Sequence, residues 1–190
     1  MQRNRIRSSK KILVLGPVKA GKSSISNYLG EAVDVESLGE YRATKGVRIV
    51  EFESHEVDID GSRVEIDVEL WDCSGDLKYR DCWPAIKEGV HGVILVANPD
   101  ENEGTDLDIW YTNFIAKSSV QIENVLVVLN EMGEKRTNDG VISEFKLPVP
   151  LSSAVCVACN LRHEGENLKM EFNQFLMYII ERDRARDDSF

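Results

Sequence analysis

The chain has 190 residues, 42% hydrophobic and 29% charged, a size and mix that fit one globular domain with a sizeable core. Its formal net charge of −10 and pI near 4.9 argue against nucleic acid or an anionic membrane as a general partner. No apolar run approaches membrane-spanning length, no secretory pattern precedes the first apolar run, and the last residues lack the cysteine of a prenylation box.

Residues 1–10 are basic without an apolar stretch and read as a flexible extension ahead of one domain over residues 11–184. Lys11-Ile12-Leu13-Val14-Leu15 has the pattern of a buried strand. Gly16-Pro17-Val18-Lys19-Ala20-Gly21-Lys22-Ser23 follows it and spells Gly-x-x-x-x-Gly-Lys-Ser, the phosphate-binding loop. Residues 23–29 then read as the first turns of a helix. In that context backbone N–H groups wrap phosphate oxygens, and the helix aims its positive dipole end at the same charge. Lys22 would reach the β- and γ-phosphates, and the Ser23 hydroxyl would ligate Mg2+. The nucleotide is therefore assigned to Gly16, Val18, Lys19, Ala20, Gly21, Lys22, Ser23 and Ser24.

Residues 31–43 are polar and acidic without a period and read as a loop. Residues 47–56 and 64–71 alternate and flank Asp60-Gly61, which predicts a hairpin. The second run ends in Trp71-Asp72-Cys73-Ser74-Gly75. An Asp at the end of an apolar strand in a phosphate-loop protein can hold Mg2+ through water, and Gly75 leaves the backbone free to turn an N–H to a γ-phosphate. Asp-x-x-Gly alone is a common turn; paired with the loop at Gly16 it indicates a site that senses the third phosphate. The Thr44 hydroxyl completes the expected metal set of Ser23, Thr44 and Asp72, against the plainer reading of an exposed loop threonine. Tyr79, Trp83 and Pro84 lie just beyond this loop and are candidates for a docking surface. Inward packing of Trp83 is the alternative.

Residues 91–97 and 125–129 are continuous apolar runs, as parallel strands covered on both faces require. Between them Leu107, Trp110, Tyr111, Phe114 and Ile115 recur at helical spacing over residues 106–117. Residues 131–150 read as a loop with at most a short helix, and residues 155–158 as a last short strand. Leu168, Phe172, Phe175, Leu176, Ile179 and Ile180 form one apolar stripe on a closing helix over residues 166–183, followed by a flexible tail at 185–190. Cys156-x-x-Cys159 has no second ligand pair at zinc spacing, so Cys73, Cys82, Cys156 and Cys159 read as reduced thiols rather than a redox or metal centre. Reduced thiols fit a cytoplasmic residence. The alternation of strands and helices predicts an α/β architecture: a six-stranded, mostly parallel sheet with one antiparallel edge strand and helices on both faces.

The order of Gly16–Ser23, Thr44 and Trp71–Gly75 resembles that of Ras/Rab-type small GTPases over nearly the whole chain. Residues 44–53, 69–76 and 82–85, with Lys169-Met170-Glu171-Phe172, resemble more specifically the Rab-like GTPase subunit of the intraflagellar transport B complex, the intraflagellar transport protein 22 homolog family. The resemblance implies a phosphate-loop small-GTPase fold, GTP or GDP with Mg2+ as cofactors, and a place at the cilium or flagellum and its base. It further implies coiled-coil train subunits as partners, with no nucleic acid and no direct membrane anchor.

Three positions depart from a hydrolytic small GTPase. Asp76 stands where Gln usually orients the attacking water, and a carboxylate repels the γ-phosphate. Val18 is branched where an efficient hydrolase often has Gly. Asn130-Glu131-Met132-Gly133 replaces the guanine-reading Asn-Lys-x-Asp, leaving Asn130 as one base contact and the backbone of Ala158 and Cys159 as another. No catalytic residue is assigned. Three readings follow: a GTP-binding adaptor with slow or absent hydrolysis, a cycling GTPase whose partner supplies catalytic groups, and a structural subunit without nucleotide exchange.

Overall fold

The computed structural model describes residues 4–31, 42–59, 61–133, 140–163 and 165–187. Six strands form one sheet: β1 (Asn4–Leu15), β2 (Val47–Ile59), β3 (Ser62–Cys73), β4 (Gly92–Ala97), β5 (Val125–Asn130) and β6 (Val155–Cys159). Their spatial order is β2-β3-β1-β4-β5-β6, with every pairing parallel except β2 with β3. This is the predicted architecture. β4 and β5 are buried along their full length, which is why both read as unbroken apolar runs.

The period-2 geometry of strands divides the core in two. Ile12, Val14, Ile94, Val96, Leu126 and Val128 face one side, where α1 (Lys22–Leu29) and α5 (Gly165–Asp187) bury Ile25, Leu29, Leu168, Phe172, Leu176 and Ile179 against them. Leu13, Leu15, Val93, Leu95, Val125 and Val127 face the other, with Trp83, Ile86, Leu107, Trp110 and Phe114. Trp83 and Ile86 come from α2 (Trp83–Ile86), where Pro84 occupies the first turn that tolerates its missing N–H. A 3-10 turn (Leu77–Cys82) leads into α2 and buries none of its residues.

Several boundaries differ from the sequence reading. β1 begins at Asn4, so residues 4–10 belong to a strand and not to a flexible extension. The cause is the length of the β2–β3 hairpin, which carries β3 far enough to pair Val64 with Asn4. Residues 4–10 hold one large apolar side chain, Ile6, so nothing in their composition announces the strand. The hairpin itself closes at Ile59↔Ser62 with Gly61 at φ +75°, as a two-residue turn requires; its neighbour Asp60 lies outside the described residues.

The predicted helix over 106–117 is a composite: a 3-10 turn (Gly104–Leu107), α3 (Asp108–Trp110) and a π turn (Tyr111–Ile115) closed by Ala116 N–H donating to Tyr111 O. Residues 140–151 carry only α4 (Gly140–Glu144) and a 3-10 turn (Val149–Leu151), in line with the expected loop. α5 continues to Asp187, past the start of the predicted tail, and residues 188–190 lie outside the described set. Most of the acidic loop predicted at 31–43, namely residues 32–41, also lies outside it.

Candidate nucleotide and metal site

The carboxyl ends of β1 and β3 lie side by side because Val14 pairs with Asp72. The phosphate loop leaves β1 there, and the Asp72–Gly75 loop leaves β3 beside it. Gly16 has φ +143°, and a Cβ on it would lie 2.0 Å from Val96 O, so only glycine passes this close to β4. A Cβ on Gly75 would lie 2.5 Å from Val18 N, which makes close contact between the two loops depend on the missing side chain. α1 begins directly after Gly21, with Ala20 fully buried beneath the loop, Val18 and Lys19 exposed on its rim, and Ser24 half-buried in the first turn. Lys19 adopts φ +62°, an uncommon backbone for a non-glycine residue and one of the places where this loop is bent.

Lys22 is buried, and its Nζ donates to Gly16 O at 3.0 Å and Pro17 O at 2.6 Å, on the inner rim of the loop. Burial pulls its pKa down from the usual 10.5 to about 8, with the nearby Asp72 carboxylate opposing the shift. Asp72 is wholly buried. Its Oδ2 accepts from Ser23 Oγ at 2.6 Å and from Thr44 Oγ1 at 3.4 Å, and the two hydroxyls stand 2.9 Å apart. The three residues assigned to the metal therefore meet at one point, although Thr44 comes from the loop before β2, Ser23 from α1 and Asp72 from β3.

Asp72 Oδ1 is buried without a hydrogen-bond partner. Two hydroxyls and a buried carboxylate with one oxygen unpartnered are hard oxygen donors of the kind Mg2+ takes. The residues fit the ion. Among the described residues no group of three or more His, Cys, Asp or Glu side chains is positioned to hold a metal. The cysteines are unbridged thiols; Cys73 is pushed up to about 12 and Cys156 to about 11 by burial, while Cys82 is exposed.

One participant escaped the sequence reading. Arg48 lies opposite Asp72 in the β2–β3 register, with Nη2 3.2 Å from Asp72 Oδ2 and 3.3 Å from Ser23 O. Only the alternation of β2, once its register is known, identifies it.

Asp76 is drawn into its own turn. Its carboxylate accepts from Lys78 N at 3.1 Å and pairs with Lys78 Nζ at 2.6 Å, capping the 3-10 turn. Its hydrogen bonds with Lys78 hold its carboxyl below the usual carboxylate range. A charged, capped carboxylate cannot donate to a phosphate oxygen as an amide does.

On the base side, Asn130 is buried and donates from Nδ2 to Ala20 O at 3.1 Å, so it ties β5 to the phosphate loop. Ala158 and Cys159, expected in a base-facing loop, lie inside β6 and pair with Leu129 and Asn130. The strand runs one residue further than predicted because its apolar run continues through Cys159. The turn beyond it starts at Asn160, which donates to Gly133 O at 2.9 Å and accepts from Arg162 N at 3.1 Å. Cys159 O accepts from Glu131 N at 2.9 Å, so Cys159 and Asn160 both face the Asn130–Gly133 end.

Residues 11–133 match the family model described as Roc, Ras of Complex, domain of DAPkinase. The Caenorhabditis elegans intraflagellar transport associated protein 2 is 41% identical over 93% of this chain and 81% of its own length. The human intraflagellar transport protein 22 homolog is 35% identical over 90% of this chain and 89% of its own. The chain belongs to the intraflagellar transport protein 22 homolog family. Solved structures agree with that family: the T. brucei IFT22/74/81 GTP-bound crystal structure has a TM-score of 0.76 and 29% identity, covering 94% of this chain and 99% of that one. The T. brucei IFT22 GDP-bound structure has a TM-score of 0.69 and 26% identity, over 92% and 97%.

Proposed function

We propose that this chain is a Rab-like, GTP-binding adaptor subunit of the intraflagellar transport B complex, acting in cilium or flagellum assembly. It binds GTP with Mg2+, hydrolyses it slowly or not at all, and docks on a coiled-coil pair of train subunits. The observation that carries this reading is the meeting, beside Lys22, of Ser23 from α1, Thr44 from the loop before β2 and Asp72 from β3. The T. brucei relative was solved with GTP bound in an IFT22/74/81 assembly, which supports guanine nucleotide and transport subunits as the partners.

Lys22, Ser23, Thr44, Asp72 and the N–H groups of Gly16 and of Val18 to Ser24 would hold the phosphates and the ion. The ion, when bound, would draw charge from the phosphate oxygens. Thr44 belongs to the loop before β2 and Gly75 to the loop after β3, so a third phosphate would order both at once and present one nucleotide-dependent face. Asp76 keeps that state long-lived, since its carboxylate cannot orient water with a donated hydrogen bond and is turned to Lys78.

Single-turnover hydrolysis with purified full-length chain tests this. The basal rate is expected at or below about 10⁻⁴ s⁻¹. Freshly purified protein should release guanine nucleotide on denaturation. A rate a hundredfold faster favours a cycling enzyme, and the absence of any nucleotide together with no measurable GTP binding overturns the adaptor reading.

A further inference from the structure

The metal carboxylate has a cationic partner within this chain. Arg48 stands directly across the antiparallel ladder from Asp72, so the two side chains leave the same face of the sheet. One guanidinium nitrogen, Nη2, lies 3.2 Å from Asp72 Oδ2 and 3.3 Å from Ser23 O. It therefore touches two of the three residues assigned to Mg2+, and meets Asp72 on the same carboxylate oxygen that accepts from Ser23 and Thr44. Asp72 is fully buried, whereas the Arg48 side chain is 43% exposed. A buried carboxylate needs a counter-charge. A half-exposed arginine on a long stem can supply one and can also swing into water.

We propose that Arg48 competes with Mg2+ for Asp72: its guanidinium neutralises the carboxylate when the ion is away and must give way when the ion binds. Arg48 thus acts as a positioning residue that sets how much Mg2+ the nucleotide complex needs. The inference rests on the site being a Mg2+–nucleotide site. A divalent ion and a guanidinium on one carboxylate repel each other, so the pairing lowers the ion's apparent affinity. Alongside Lys22, it also offsets the desolvation cost of the buried carboxylate that gathers Ser23 and Thr44.

The test uses the full chain as wild type, Arg48→Ala and Arg48→Lys. Retention of a fluorescent GTP analogue is titrated with Mg2+, and thermal melting is followed in EDTA without added nucleotide. Arg48→Ala should lower the Mg2+ midpoint by about two- to fivefold, the range set by a half-exposed ion pair. It should also lower the melting temperature in EDTA by a few degrees, roughly the shift that a 1 kcal/mol loss gives in a domain this size. Arg48→Lys keeps a charge without the planar fork and should fall between the two. A midpoint that is unchanged or raised in Arg48→Ala overturns the competition. Wild-type retention that ignores Mg2+ altogether overturns the Mg2+–nucleotide reading as well, and so separates the two failures.

Discussion

Lys22 sits at the foot of the phosphate loop with its side chain turned back onto it. Its ammonium is buried, donates to two carbonyls of its own loop, and has a pKa lowered to about 8 by that burial. Bound phosphates would stabilise the charged form and push the value back up. Below pH 8 the lysine is already protonated, and binding takes up no proton; above it, binding must protonate the amine, so affinity falls as pH rises through the folded pKa. Calorimetry at about pH 9 in buffers of different ionisation enthalpy should therefore report proton uptake, and at about pH 7 almost none. Lys22→Ala should remove that uptake and weaken nucleotide binding by at least about tenfold, the worth of one charge-assisted contact. Equal proton linkage in wild type and variant contradicts the assignment.

Among elements, α2 separates packing from display. Trp83 was legible as an aromatic beside a nucleotide-sensing loop, with docking and inward packing both open. The structure buries it, with ring centroids 5.0 Å from Phe114 and 5.4 Å from Trp110. Trp83→Ala should therefore cost roughly 3–5 kcal/mol of stability by denaturant unfolding, as a large-to-small change in a packed aromatic cluster does. A melting curve unchanged by this substitution sinks the inward assignment. The motif strands and α1 were readable because their apolar patterns are strong and the phosphate loop has a fixed spelling. The start of β1 was not, because residues 4–10 owe their strand to a partner sixty residues away rather than to their own side chains. The π turn at Tyr111–Ile115 was hidden for a similar reason, since it changes backbone closure without disturbing the apolar spacing. Within the site, Ser23 and Asp72 were visible in motifs, whereas Arg48 depends on the β2–β3 register, which no local pattern reveals.

At the scale of the molecule, the sheet order brings three loops to one rim, and the two faces of the sheet bury separate cores beneath them. The segment after Gly75 crosses from rim to core over a few residues. Leu77–Cys82 buries nothing, and the next residue, Trp83, is locked among aromatics. The boundary between them has a consequence for hydrogen exchange. Amides on the 3-10 turn are expected to open by local fluctuation, whereas those of α2 beyond Trp83, a helix anchored by Trp83 and Ile86 in a core shared with β4 and β5, are expected to need disruption of that core. Protection measured residue by residue should step upward between Cys82 and Ile86, from local to nearly global free energies. A partner gripping the turn would then raise exchange protection on the turn alone, while one that pries at Trp83 would lower it across β4 and β5 together. A smooth gradient through this segment would mean that the turn and the core open as one unit.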